Sequence, residues 1–146
     1  MDRELSLTIV LERPTAGVDY GLQKGRGNDY ETVQTQRGAN KDLTFEFSVR
    51  VNEGKNGKPN FLGPFAQGNA DGRFVYLDIG TYAGQKNTGW ARRLKIPLIG
   101  IEWTTIDSAI KTQKRLEAHV AGSGGRDGGP TCGTIKPFTG WHLSGQ

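Results

Sequence analysis

The chain reads as a mainly β protein: a single-domain antiparallel β-barrel or β-sandwich of about eight or nine strands, with one α-helix over about residues 105–115. Three observations predict this. The stretch LTFEFSVRV, from Leu43 to Val51, alternates apolar and polar residues without a break, the period of a strand with one buried face. Twenty-two glycines among 146 residues supply many turns, and so many short strands. The hydrophobic period lengthens to that of a helix only once, in TTIDSAIKTQKR.

The first strand is LSLTIVLE, where Leu5, Leu7, Ile9 and Leu11 alternate with Ser6 and Thr8. Acidic residues at Asp2 and Glu4, with no long apolar run, set this N-terminus apart from a signal peptide or a membrane span. GLQKGRGNDYETVQTQRG reads as two polar strands with a glycine-eased turn or bulge between them. In the next strand Leu43, Phe45, Phe47, Val49 and Val51 share the core face, and Thr44, Glu46, Ser48 and Arg50 the other.

Asn56-Gly57 then suits a hairpin turn, since both residue types tolerate positive φ. NFLGPFAQG is a broken strand, because Pro64 cannot donate to a ladder and favours an edge. Asp71-Gly72 marks a second hairpin and opens RFVYLDIGTYAG, a central strand with both faces buried: Phe74 and Tyr76 on one, Val75, Leu77 and Ile79 on the other. RRLKIPLIGI follows as a strand interrupted at Pro97.

In the helix, Thr104 opens the segment with Asp107 three residues on, and Ile106, Ala109 and Ile110 form one stripe. Asp107 suits the positive end of the helix dipole, and Lys111, Lys114 and Arg115 the negative end. LEAHVAG and TCGTIKP are the last strands, flanking the glycine-rich loop GSGGRDGG. Heptads, internal repeats and an interdomain linker are all missing from the sequence, and the length suits one core.

Composition narrows the function classes. The formal charge of +4 permits an anionic partner without requiring one. Cys132 is the only cysteine, so no intrachain disulfide and no cysteine-rich metal site can form, and a reducing, cytoplasmic setting is expected. It lacks a nucleophile motif and reads as a small apolar residue. His119 and His142 could share a metal with a carboxylate, but no ligand pair has motif spacing, and the expectation is of no metal and no other cofactor.

Gly25 and Gly27 flank Arg26 in a segment able to form an anion-binding nest, but the residues that follow alternate like a strand and place no helix N-terminus behind it. The clustered cations and aromatics carry the ligand reading: Lys24, Arg26, Arg92 and Arg93 for charge, and Tyr20, Tyr82 and Trp90 for stacking surface. They point to a non-catalytic protein holding a small polar or anionic ligand. Single-stranded nucleic acid or a nucleotide is the second candidate.

Asp78 continues the Phe74–Tyr76 face and is a possible buried acid, with Arg92 or Arg93 as the natural partner. A hydrolase or isomerase would use it, or Glu102, as general base, though no motif nominates either. The edge near NFLGPFAQG leaves room for self-association or a peptide partner.

Taken together, DYGLQKGRGNDYE, LTFEFSVRV, NFLGPFAQG, RFVYLDIGTYAGQ, RRLKIPL and DGGPTCGTIKPFTGW resemble a bacterial family known as a domain of unknown function, numbered five-nine-nine-zero. The resemblance runs in order over nearly the whole chain and implies a small, single-domain cytoplasmic protein. It carries over no catalytic residue, substrate or cofactor.

Overall fold

A computed structural model describes residues 2–26, 29–69, 72–83, 86–98, 100–121 and 140–144. In chain order the elements are β1 (Arg3–Glu12), β2 (Asp19–Arg26), β3 (Asp29–Arg37), β4 (Leu43–Glu53), β5 (Pro59–Leu62), β6 (Gln67–Asn69), β7 (Gly72–Ala83), β8 (Lys86–Pro97), α1 (Trp103–Thr112), β9 (Leu116–Ala121) and β10 (His142–Leu143). The expected strand TCGTIKP and the glycine-rich loop before it lie outside the described residues, as does Cys132.

One sheet runs β10-β9-β1-β4-β5, and the other β3-β2-β7-β6 with β8 on the remaining edge of β7. Their inner faces meet in one core. Leu5, Leu7, Ile9 and Leu11 of β1 and Leu43, Phe45, Phe47, Val49 and Val51 of β4 come from the first sheet. Leu22, Val75, Leu77, Leu94 and Ile96 come from the second. The alternation in β1 and β4 thus becomes burial, and their nine-residue register, Arg3↔Val51 to Leu11↔Leu43, places like faces together.

Two turns form where the residue chemistry predicts them. Gly57 takes φ +71° in the short 3₁₀ turn between β4 and β5. The β6–β7 hairpin closes with Asn69 opposite Gly72. The break at Pro64 is where the chain leaves the first sheet at β5 and enters the second at β6.

Side chains seal a seam that backbone pairing leaves open. The Gln34 and Gln36 amides on β3 donate to the Glu46 and Thr44 carbonyls of β4, each at 2.7 Å. They satisfy two carbonyls of β4 and tie the two sheets together.

Three features depart from the sequence-based expectation. β1 and β9 pair in parallel, and α1 carries the chain from β8 in the second sheet to β9 in the first. α1 starts and ends two to three residues earlier than expected. Its N-cap residue is Glu102, which makes no side-chain cap bond, and its C-cap is Gln113 at φ 56°. Phe74 and Tyr76 are half-buried instead of buried, stacked on each other at 6.3 Å on the outer face of β7.

Asp107 works as a bridge and not as part of a capping box. It accepts from Arg3 Nη1 of β1 at 2.9 Å and lies 2.8 Å from Lys111 Nζ. The Lys111 hydrogen bond, and then that of Arg3, hold its carboxyl below the ordinary value of 3.8. Folding therefore lowers its proton affinity. Its contribution is fully present above the unfolded pKa near ~4 and is lost as pH falls from there through the folded value. Asp107→Asn is expected to flatten this acid-side loss while leaving the neutral-pH profile parallel to wild type. Urea midpoints measured from pH 7 downward check it, and unchanged curvature below ~pH 4 would refute it.

Candidate functional site

The outer face of the second sheet carries a polar centre built on β7. Gly21, Asp78 and Arg93 are register neighbours on β2, β7 and β8. Asp78 is 3% exposed. Its Oδ1 accepts from Arg93 Nε at 3.1 Å, and its Oδ2 accepts from Gln23 Nε2 at 2.9 Å and Thr32 Oγ1 at 3.1 Å. A buried carboxylate needs such donors to offset its lost hydration. Arg93 is the partner, on the side of β8 that faces Asp78.

Close approach shapes this floor. A Cβ at Gly21 would collide with Thr32 Cγ2 and crowd the Trp90 ring. Glycine lets β3 and the indole close over β2. The Arg93 guanidinium carbon then lies 4.8 Å from the Tyr76 ring centre and 6.0 Å from that of Tyr30, while Lys95 Nζ lies 5.6 Å from that of Phe74. Rings and cations alternate along the face.

Next to this centre is a cleft of about 250 Å³ lined by Gly25, Tyr30, Gly63, Pro64, Ala66, Gln67 and Arg73. Gly25 near the end of β2 and the Gly63–Ala66 turn contribute to its walls. Gln67 is 7% exposed. Its Nε2 donates to the Gln23 carbonyl at 3.2 Å, but its Oε1 is buried without a hydrogen-bond partner. Gln23 Oε1 is buried in the same state. Two orphaned acceptors within one neighbourhood are uncommon in a folded protein.

The sequence-predicted residues divide into three groups. Arg93 and Trp90 reach the outer face, Trp90 at 39% exposed. Lys24 is half-buried on β2, opposite Glu31 and next to the cleft-lining Gly25. Tyr20 does not join them. It is 1% exposed in the core, and its hydroxyl accepts from the Thr15 N–H at 2.9 Å, so its ring offers a ligand no surface.

Backbone alone places Arg26 at the end of β2, Tyr82 opposite Asn87, and Arg92 opposite Ile79; their side chains lie outside the described residues. The Gly25 N–H donates to the Pro64 carbonyl at 2.8 Å and so is not available to an anion nest. Glu102 stands exposed at the start of α1.

Gln23, Thr32, Gln67 and Arg73 were not foreseen as site residues. Glutamines in strand alternation look like ordinary outward positions, and only the turn at Pro64 encloses them.

A second polar cluster lies on the outer face of the first sheet, where Glu117 and His119 of β9 meet His142 of β10 and Glu12 of β1. The one local signal for it is Glu117-x-His119, which sets both side chains on one face of a strand. The Glu117 hydrogen bond holds the His119 imidazole above its usual pKa; partial burial opposes this and Glu12 reinforces it.

Among the described residues no helix is long and apolar enough to cross a membrane. No curated protein and no solved structure matches the chain. The model of the Family of unknown function (DUF5990) matches residues 5–144, in keeping with the resemblance carried by the strand and turn motifs, and the chain belongs to that family.

Proposed function

We propose that the chain is a non-catalytic binding protein whose ligand is small and polar or anionic, seated in the cleft between β2 and β6. The observation that carries this reading is Gln67, a buried side chain lining the cleft with an amide oxygen that lacks a donor. A ligand N–H or O–H would satisfy it, and a buried acceptor left alone costs about 1–3 kcal/mol. Arg73 on the same wall favours an acidic group, and the exposed Tyr30 ring gives an apolar side. Hydroxy-carboxylates and sugar phosphates combine these features within a small volume. A bacterial cytoplasm, reducing and rich in such metabolites, goes with this reading and with the single cysteine.

The test is a melting-temperature screen against hydroxy-carboxylates, sugar phosphates and nucleotides. A ligand at a hundred times its Kd adds about 2.7 kcal/mol, or roughly 5–11 °C for a chain of this size. Gln67→Leu should abolish that shift while leaving the unliganded melting point near wild type, since it removes the orphaned oxygen together with one long hydrogen bond. A flat screen, or a Gln67→Leu protein that responds like wild type, would sink the reading.

Single-stranded nucleic acid is the second reading, favoured by the alternation of Trp90, Tyr76 and Phe74 with Arg93 and Lys95. It requires an oligonucleotide affinity that falls steeply with salt.

A further inference from the structure

We propose that Glu117, His119 and His142 form a binding site for a divalent transition-metal ion of the zinc class, with Glu12 as the positioning residue for His119. Leu116, Ala118 and Val120 of β9 point into the core, so Glu117 and His119 project from the opposite face. His142 is the direct register partner of Glu117, and Glu12 sits diagonally across β1 from His119. Three strands distant in sequence thus deliver four polar side chains to one patch.

The geometry fits a shared ion. His119 Nε2 lies 2.9 Å from Glu117 Oε2, and His142 Nε2 lies 3.8 Å from the same oxygen. One ligand atom from each of the three residues lies within 4.8 Å of the other two. Ligands about 2.0–2.1 Å from a tetrahedral zinc ion are separated by roughly 3.3 Å, which the two measured spacings bracket. The two imidazole ring centres lie 5.8 Å apart with planes 16° apart.

The donor chemistry points the same way. His119 Nδ1 is 3.1 Å from Glu12 Oε2. Its N–H donated there leaves the Nε2 lone pair of a neutral ring facing the Glu117 oxygen. Two electron-rich atoms at that distance need a positive charge between them, either a proton or a metal ion. A proton answers for one nitrogen. A metal ion also takes in His142 Nε2, which converges on the same oxygen. A carboxylate that fixes the second nitrogen of a metal-bound histidine is a recurrent outer-shell arrangement. Two imidazoles and a carboxylate suit zinc, cobalt(II) and nickel(II) better than calcium or magnesium. The three side chains are 27–35% exposed, so the ion would keep solvent-accessible positions.

The site lies on the sheet opposite the ligand cleft, and its test is independent of that reading. The full chain, stripped with chelator, is titrated with zinc chloride by calorimetry at pH 7.5, and with cobalt(II) by visible absorption. One ion per chain and intense d–d bands of a low-coordinate cobalt site are expected. His142→Ala should weaken zinc at least ten-fold without altering the melting point in chelator. Glu12→Ala should weaken it by about ten-fold, and Glu12→Gln, whose amide oxygen still accepts from Nδ1, should recover most of the loss. Absence of saturable zinc binding, or wild-type affinity in His142→Ala, would overturn the site. Equal losses in Glu12→Ala and Glu12→Gln would overturn the positioning role of Glu12.

Discussion

Replacing Asp78 by alanine is expected to lower stability by about 3 kcal/mol and the melting point by roughly 6–12 °C. The carboxylate is the common acceptor for three strands: Gln23 from β2, Thr32 from β3 and Arg93 from β8. Truncation leaves Gln23 Nε2 buried without an acceptor and Thr32 Oγ1 partly so. The Arg93 side chain is 42% exposed, so it recovers hydration, and the loss stays below that of a fully enclosed pair.

Arg93→Ala should cost about 1–3 kcal/mol, because it leaves the buried Asp78 carboxylate with only the neutral Gln23 and Thr32 donors, and the double variant should lose less than the sum of the two. Urea unfolding of the four proteins measures this directly. A loss under about 1 kcal/mol in Asp78→Ala would mean that water replaces the carboxylate and that Asp78 does not organise the face.

The second large effect is expected in the core. Phe45 is fully buried near the start of β4, opposite Ile9 of β1. Truncating a buried phenylalanine to alanine removes its transfer free energy and leaves a cavity, so Phe45→Ala should cost about 3–5 kcal/mol. The corresponding melting-point drop is roughly 6–20 °C. Its neighbour Thr44 faces solvent, and its backbone carbonyl accepts from Gln36. Thr44→Ala should therefore stay within about 0.5 kcal/mol of wild type. Similar losses in the two variants would contradict the facing of β4, and with it the two-sheet packing.

The same contrast separates what is readable in one sequence from what is not. β1 and β4 are plain in the pattern because each shows one face to the core and one to water. β7 is harder. Its apolar alternation extends to Phe74 and Tyr76, whose rings lie under Lys95 and Arg93 instead of inside a second core. Tyr20 misleads for the opposite reason: a tyrosine among glycines and charges resembles a surface ring, yet it fills the core and hides its hydroxyl against the Thr15 backbone. The helix is recognisable from its stripe of Ile106 and Ala109, but Asp107 is drawn to Arg3, a residue more than a hundred positions away, and not into a cap.

The candidate sites lay further from view. Gln67 becomes a cleft residue because the chain changes sheets at Pro64 and brings its side chain against Gln23 and Gly25 of β2. Glu12, Glu117, His119 and His142 meet because β9 inserts between β1 and β10.

Alone, the order of residues determined strand facing, turn positions and the one helix, since each follows from the period and φ preferences of a few adjacent residues. Tertiary structure decided which strands adjoin, where a bulge shifts a face, and which polar side chains converge. Those outcomes depend on pairings between segments far apart in the chain, and a local pattern is compatible with many of them.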